Sequence, residues 1–425
     1  MPGPARHPWA EGLIEELHAR PSPALDAPAR VFHLALVTGE ATAEAERRHI
    51  AALAAGRGIA PPPDNAMHYA ADFGLYRLIW ERHNEFSTYS FFLTAGEAAP
   101  FAQPALGLLP QAWIEGLAGS LVTAVDVALL SRTRGEPDPS LLARWFGTEN
   151  VEGSLAAGGQ ARIWTDLKLD NEGAVRVVLH ELGMNPRQIG RMVQRLLEIQ
   201  TYCAMALLAL PVAREAGPML RRIESELADL VAQLNRQDQA EDDKPLLRRL
   251  TAFAAEIEET AARSSYRFGA ARAYRALVGR RIEELRETRI EGFQSIGEFM
   301  DRRFAPAMRT CETAEARIES LAERVNRATQ MLRTRIEVTL AAQNRDLLAS
   351  MNQRAKAQLR LQQTVEGLSV VAITYYAVGL VGHVAQAIET AGYSLSRDVT
   401  IGFAVPVIAL LAFWVIRRIR RTLER

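Results

Sequence analysis

The chain has 425 residues, 50 of them basic and 50 acidic, and a formal charge of zero, so no global field draws it to nucleic acid. Hydrophobic residues make up 48% of it, and the length leaves room for an ordinary globular domain, a helical one and a short membrane portion. The two cysteines, Cys203 and Cys311, fit a reducing compartment and read equally well as small apolar helix residues.

The opening segment MPGPARHPWAEGLIEEL has no apolar core of a cleaved signal, so the large N-terminal part is expected to stay in the cytoplasm. Residues 30–38 (RVFHLALVT) are a candidate strand and 41–56 a candidate helix, after which Pro61, Pro62 and Pro63 break the pattern. Between 67 and 93 aromatic and β-branched residues are dense, and MHYAADFG, LYRLIWERH and FSTYSFFL read as strands of a meander. Residues 122–130 and 161–169 add two strands, the second approached through a Gly158-Gly159 turn. The expectation for 1–183 is an α+β domain with a mostly antiparallel sheet.

Asn185 before Pro186 combines an N-cap residue with proline at the first helical position, and 184–306 reads as a cytoplasmic helical domain. Residues 202–213 are apolar but carry Pro211 and are too short to span a bilayer, so they are expected as a buried helix segment. The stretch QDQAEDDKP at 237–245 is a polar turn, and Gly292 and Pro306 mark further breaks.

From 307 to 366 no glycine or proline occurs in sixty residues, which predicts a stalk helix roughly 90 Å long. Cys311, Ile318, Val325 and Leu332 recur every seven residues, with Ala314, Leu321 and Ala328 at the complementary position of a packed seam. Beyond Leu332 the apolar positions shift to Ile336, Leu340, Leu347 and Met351, a stutter that changes the supercoil. Uncharged polar groups then accumulate, among them Gln343, Asn344, Asn352, Gln353, Gln358, Gln362 and Gln363, as a solvated surface or as a hydrated lining shared by parallel stalks.

Residues 367–388 hold no Asp, Glu, Lys or Arg and are long enough to cross a hydrocarbon core of roughly 30 Å. After a connector at 389–398, residues 399–416 form a second uncharged stretch with Pro406 near its middle. Arg417, Arg418, Arg420 and Arg421 close it, Arg354, Lys356 and Arg360 precede the first stretch, and the connector carries only Arg397. The positive-inside rule then places both termini in the cytoplasm and the connector in the periplasm. Within the first stretch Ser369, Tyr376 and His383 lie seven apart, Gln362 continues the stripe and Gly379 sits beside it, so these five are pore-lining candidates. The alternative reading of His383 is an interfacial residue, and Gly379 with Gly382 equally permits close helix contact.

Enzyme chemistry finds little footing: there is no phosphate loop, nucleophile elbow, paired-cysteine zinc motif or metalloprotease helix. Glu81, His83 and Glu85 in WERHNEF alternate along a predicted strand, as a weak divalent-metal site or a solvated face. His68 with Asp72 and His180 with Glu181 are weaker pairs still. No enzyme is expected.

The segments HPWAEGLIEELHARPSPAL, HYAADFGLYRLIWERHNEFSTYSFF, QRLLEIQTYCAMALLALPVARE and MNQRAKAQLRLQQTVEGLSVVAITYYAVGL resemble the bacterial domain-of-unknown-function family 3422 over nearly the whole chain. That family has no established activity. The plan as a whole is similar to CorA-type divalent-cation channels: an α+β cytoplasmic domain, a long stalk helix running into the first of two C-terminal transmembrane helices, and a basic tail. This resemblance implies an inner-membrane homo-oligomer, a pentamer in that family, and a divalent cation of unidentified kind, with no cofactor expected. The family's Gly-Met-Asn entrance is missing from the outer end of the first span; the Gly-Met-Asn at 183–185 precedes a soluble helix. The sequence thus supports two readings, a CorA-like cation channel with a cytoplasmic regulatory domain, or a non-conducting membrane-anchored scaffold whose α+β domain docks a partner. A membrane enzyme using Glu81, His83 and Glu85 would need them together in a cleft.

Overall fold

A computed structural model describes residues 7, 9, 22–94, 100–104, 107, 109–236, 243–390 and 396–423. The described parts of 1–236 and 248–328 form one compact body, and 243–247 with 329–423 a second.

The first body is built on a nine-stranded sheet: β1 (Ala29–Val37), β2 (His68–Asp72), β3 (Arg77–Arg82), β4 (Phe86–Thr94), β5 (Ser120–Leu130), β6 (Glu152–Ala156), β7 (Ala161–Leu169), β8 (Val175–Glu181) and β9 (Thr288–Arg289). Their spatial order is β2-β3-β4-β1-β5-β8-β7-β6-β9. Every neighbouring pair is antiparallel except β5 and β8, which run parallel from Val125 opposite Val175. The expected strands at 30–38, 122–130 and 161–169 and the three-strand meander are all present. The Gly158-Gly159 turn closes β6 onto β7 with φ of 66° and 91°, values that glycine adopts without steric cost.

Side chains alternate across the pleat, and the two faces of the β1-β3-β4 region differ in character. One face sends Phe32, Leu34, Leu36, Leu78, Trp80, Tyr89 and Phe91 into an apolar core closed by α1 (Ala43–Ala55) and by Trp113 of α2 (Gln111–Glu115). Glu46 of α1 is fully buried there, and its carboxylate accepts from Arg82, from Trp80 Nε1 at 3.2 Å and from Thr42 Oγ1 at 2.7 Å. A third helix, α3 (Pro139–Phe146), is capped by Asp138, whose Oδ1 accepts from Leu141 N at 2.8 Å. It places Leu142, Trp145 and Phe146 against Trp164 and Val178.

The other face of β1, β3 and β4 is covered by α4 (Pro186–Leu207). Its entrance is the one the sequence predicts: Asn185 Oδ1 accepts from Gln188 N at 3.0 Å and Gln188 Oε1 accepts from Asn185 N at 2.8 Å. The apolar run at 202–213 contributes Met205, Ala206, Ala209 and Ala213 to the interior. Leu208 separates α4 from α5 (Ala209–Arg236), so Pro211 falls in a first turn, where its missing N–H costs no helical bond. Most of the expected turn at 237–245 lies outside the described residues, and α6 (Asp243–Leu285) follows it.

The last two helices are α7 (Ile296–Thr390) and α8 (Arg397–Leu423). Here one expectation fails: α7 does not break at Pro306 but passes through it. A capping box fixes its start, since Ser295 Oγ accepts from Glu298 N at 3.2 Å and Glu298 Oε2 accepts from Ser295 N at 3.1 Å. A second departure is β9, which pairs with β6 from within the region expected to be purely helical, so the sheet shares one body with α4, α5, α6 from 248 and α7 up to 328.

The heptad seam is packed along its length. Cys311, Ala314, Ile318, Leu321, Val325, Ala328 and Leu332 are each at most 7% exposed. Within the first body the partners of this part of α7 belong to the same chain. Arg317 donates to Glu224 of α5 at 2.7 Å, Glu312 and Glu315 accept from Arg275 and Arg272 of α6, and Arg222 of α5 joins Glu256 of α6 at 2.5 Å. The pairing of 312 with 275 and of 315 with 272 runs the two helices antiparallel. Past Leu332 the burial stops, and Leu340, Leu347, Met351 and Val365 are 53%, 62%, 65% and 56% exposed.

Among the described residues, three helical stretches are long and apolar enough to cross a membrane: 186–234, which is α4 continued by α5, 296–389 and 398–418. Of the most apolar window in each, 44%, 11% and 0% respectively is buried inside the protein.

Candidate functional site

Among the described residues, polar side chains line open space in each of the two bodies. In the first body it is a cavity of about 60 Å³ between the β1-β3-β4 face and α4. The strands contribute His33, Glu81, Thr88 and Ser90, the turn after β3 contributes His83, and α4 contributes Gln194, Glu198, Thr201 and Tyr202. Phe86, Phe92 and Pro23 close it, with Gly190 on the floor. That glycine is required, because a Cβ there would lie 1.7 Å from the Pro23 carbonyl oxygen.

His33 sits fully inside. Its Nδ1 is 2.8 Å from Ser90 Oγ and its Nε2 3.0 Å from Thr201 Oγ1, so a neutral ring donates once and accepts once. Burial, aided by the charge of nearby His83, lowers its pKa from 6.5 to about 3, which keeps the imidazole uncharged. On α4, Gln194 Nε2 donates to Glu198 Oε1 at 2.9 Å, and Glu198 also accepts from Arg281 of α6. Arg281 in turn meets Glu284 at 3.0 Å, and Glu284 accepts from Arg195 at 3.0 Å, so the Glu198 charge is balanced from outside the cavity.

The three residues of the WERHNEF motif are not brought together. β3 ends at Arg82, and His83 N donates to Phe86 O at 2.8 Å across a tight turn, so the strand alternation on which the grouping rests stops before Glu85. Glu81 and His83 line the cavity, whereas Glu85 is taken by Arg267 of α6, whose Nη2 is 2.5 Å from Oε2. Among the described residues no group of three His, Cys, Asp or Glu side chains is placed to hold a metal ion. His83 stacks on Phe86 with ring centres 4.2 Å apart, and Phe86 meets Tyr202 and Tyr274 edge-on, so the turn is wedged between α4 and α6. The weaker pairs have structural partners as well. His68 stands opposite Glu81 in register, Asp72 Oδ1 accepts from Gly74 N at 2.8 Å, and His180 Nε2 contacts Ser131 O at 3.2 Å. Glu181 accepts from Gly183 N at 2.9 Å. Cys311 is buried and Cys203 half-buried, and desolvation pushes the Cys203 thiol up to about 12.

Sequence reasoning missed His33, Thr88, Ser90, Gln194, Glu198 and Thr201. A signal existed on α4, where 194, 198 and 201 fall on one helical face. A histidine at a core position of an otherwise apolar strand was the other.

In the second body it is a cleft of about 770 Å³ between the C-terminal half of α7 and α8. Of the five stripe residues it takes in Tyr376, Gly379 and His383, together with Thr374, and faces Ile401, Val405 and Ala409 of α8. Gln362 and Ser369 do not line it. Gln362 is exposed, and the Ser369 hydroxyl donates to Val365 O of its own helix at 2.8 Å. Gly382 and Ala385 are the buried positions of this segment, while Tyr376 is 75% exposed. At the end of α8 the guanidinium of Arg417 lies 5.9 Å from the Phe413 ring centre and that of Arg418 5.1 Å from Trp414. The side chains of Arg420 and Arg421, and connector residues 391–395, lie outside the described residues.

No curated protein matches the chain, and neither does any solved structure. A family model described as Protein of unknown function (DUF3422) matches residues 5–423, nearly the whole length, and the chain therefore belongs to that family.

Proposed function

We propose that this is a homo-oligomeric bacterial inner-membrane protein of CorA-like plan, with two C-terminal spans, both termini in the cytoplasm, and cation transport as its activity. The observation that carries the reading is α7. It runs without interruption from the seam ending at Leu332 into an uncharged apolar stretch, and a second apolar helix follows whose most apolar window is not buried at all in the chain. Exposed apolar surface of that extent needs lipid or another chain to cover it. The 186–234 helices are assigned to the water-soluble part because their apolar window is 44% buried against the protein itself.

In this reading 333–366 is a stalk whose exposed stripe, with Leu340, Leu347 and Met351, meets other copies. Tyr376, Gly379 and His383 face an axial path where neutral dipoles replace part of an ion's hydration shell. Arg417 and Arg418, with Arg420 and Arg421, hold the tail on the cytoplasmic side. The soluble body then acts as a regulatory domain rather than an enzyme, and nucleic acid is not a partner.

The competing reading, a non-conducting anchored scaffold, draws on one observation: Ser369 spends its hydroxyl on its own helix, and neither it nor Gln362 lines the cleft. Cryo-electron microscopy of the detergent-purified protein, followed by cation flux in proteoliposomes, separates the two. A symmetric ring with the first spans around a hydrated axis and measurable flux is expected. A monomer, or a ring plugged throughout with lipid or side chains, would replace the transport reading with the anchor.

A further inference from the structure

We propose that Arg354, together with the same residue of neighbouring copies, forms a binding site for a soluble phosphate-class oxyanion inside a parallel bundle of α7 helices. The site rests on the spanning reading above, which sends every copy's α7 the same way into one membrane, and not on conduction. The bundle face is written in the stalk. Leu340, Leu347, Arg354, Leu361 and Leu368 recur every seven residues. Asn344, Met351, Gln358 and Val365 follow the first four of them at the complementary four-residue step, as a parallel helix seam requires. The flanking positions 341, 343, 348, 350, 355, 357, 362 and 364 hold only Ala, Gln, Leu, Ser and Thr, so the face is broad as well as uncharged. Between 338 and 368 the chain has six charged residues, and five of them, Arg345, Asp346, Lys356, Arg360 and Glu366, fall on the remaining positions. A helix surrounded by water on all sides has no need to sort its charges in this way. Leu340, Leu347, Met351 and Leu361 are each more than half exposed, and α8 does not reach them. Its 27 residues, about 40 Å of helix, fold back from Thr390 only to about residue 363, which leaves a second copy in register as the cover.

Arg354 is the sixth charge, and it is exposed on this face. In register it gathers a ring of guanidinium groups, one from each copy, and like charges taken out of water need a counter-charge. The stalk supplies none. Asp346 is the sole acid between 338 and 365, about two turns away on the far side of the helix. One turn from Arg354 the face carries Ser350, Met351, Ala357 and Gln358. Guanidinium groups with a hydroxyl and an amide a turn away suit an oxyanion, which arginine binds through paired N–H donors. Lipid headgroups are too far. Arg354 precedes the apolar stretch at 367 by 13 residues, about 20 Å of helix, against roughly 5–8 Å for one headgroup layer, so the anion comes from solution.

The test uses the full chain in detergent, in buffer free of phosphate and sulfate, with radiolabelled inorganic phosphate in equilibrium dialysis and mass photometry over a dilution series. Saturable binding of one equivalent per oligomer is expected, and phosphate should tighten assembly, as a ligand of the assembled state must. Arg354→Gln is expected to weaken phosphate binding at least tenfold, whereas Arg345→Gln, on the outer side, changes it less than twofold. Arg354→Leu should assemble without phosphate at a severalfold lower concentration than the parent and lose the response to the anion. Cross-linking by a short bis-maleimide reads the seam separately: Met351→Cys should join copies and Asn352→Cys should not, with the parent and its Cys203 and Cys311 as the blank. Cross-linking at 351 without saturable phosphate, or with equal binding by Arg354→Gln and the parent, would overturn the anion site alone. Cross-linking at 352 instead of 351, or at neither, would overturn the seam and the stalk assembly with it.

Discussion

Leucine-to-alanine substitutions at two sites along α7 separate the part of that helix covered by its own chain from the part that is not. Leu321 is 1% exposed, at the centre of the seam. Truncating it removes three carbons, worth about 0.8 kcal/mol each in transfer, and leaves a cavity that surrounding helices fill only in part, so a loss of about 3 kcal/mol is expected. Leu347 is 62% exposed, and the same substitution there changes the stability of an isolated chain by no more than about 0.5 kcal/mol. Urea titration of the detergent-dispersed monomer, followed by far-UV circular dichroism, reads both. Mass photometry across a dilution series then reads assembly. If the exposed stripe is where copies meet, Leu347→Ala shifts the oligomer toward monomer while leaving the urea midpoint in place, and Leu321→Ala does the reverse. Equal losses of monomer stability would mean that the helix beyond Leu332 is covered within the chain, and the argument from exposure would fail.

Three further outcomes follow from the soluble body. His33 titrates near 6.5 when unfolded and about 3 when folded, so below pH 6.5 the unfolded chain binds a proton that the native ring refuses. Stability is therefore full above that pH and falls on acidification, by about 2 kcal/mol between pH 7 and pH 5, and His33→Gln should remove this increment from the pH dependence of the urea midpoint. Arg267→Ala leaves Glu85 buried without its main partner, and a loss of about 3 kcal/mol is expected; a loss under about 0.5 kcal/mol would show that Tyr266 and Tyr274 suffice to hold it. Gly190→Ala forces the Pro23 carbonyl away from α4, at a cost of about 2 kcal/mol, and should raise protease sensitivity at the segment before β1; unchanged proteolysis would contradict the close approach.

Much of the architecture was legible because it is local. The meander announces itself by aromatic and β-branched density over 67–93, the α4 entrance by Asn185-Pro186-x-Gln188, and the seam by a seven-residue repeat whose every member is buried. Reasoning from local signals also misplaced features. Pro306 looked like a stop, but the box formed by Ser295 and Glu298 had already set the helix going ten residues earlier, and α7 continues through it. Glu85 looked like a third ligand beside Glu81 and His83, but a strand alternation cannot be extended through a turn.

By itself the sequence determined the order of a sheet-bearing part, a helical part and two uncharged apolar stretches, since composition and periodicity are properties of neighbours along the chain. Only the tertiary structure decided what those elements face. The seam could equally have met a second copy, yet between Cys311 and Ile318 it meets α5 and α6 of its own chain, as the Arg317–Glu224 and Arg272–Glu315 pairs show. The polar cavity depends on His33 meeting Thr201 across 168 residues, and no periodicity encodes a contact at that separation: it exists because two surfaces, each written locally, are pressed together by the burial of everything around them.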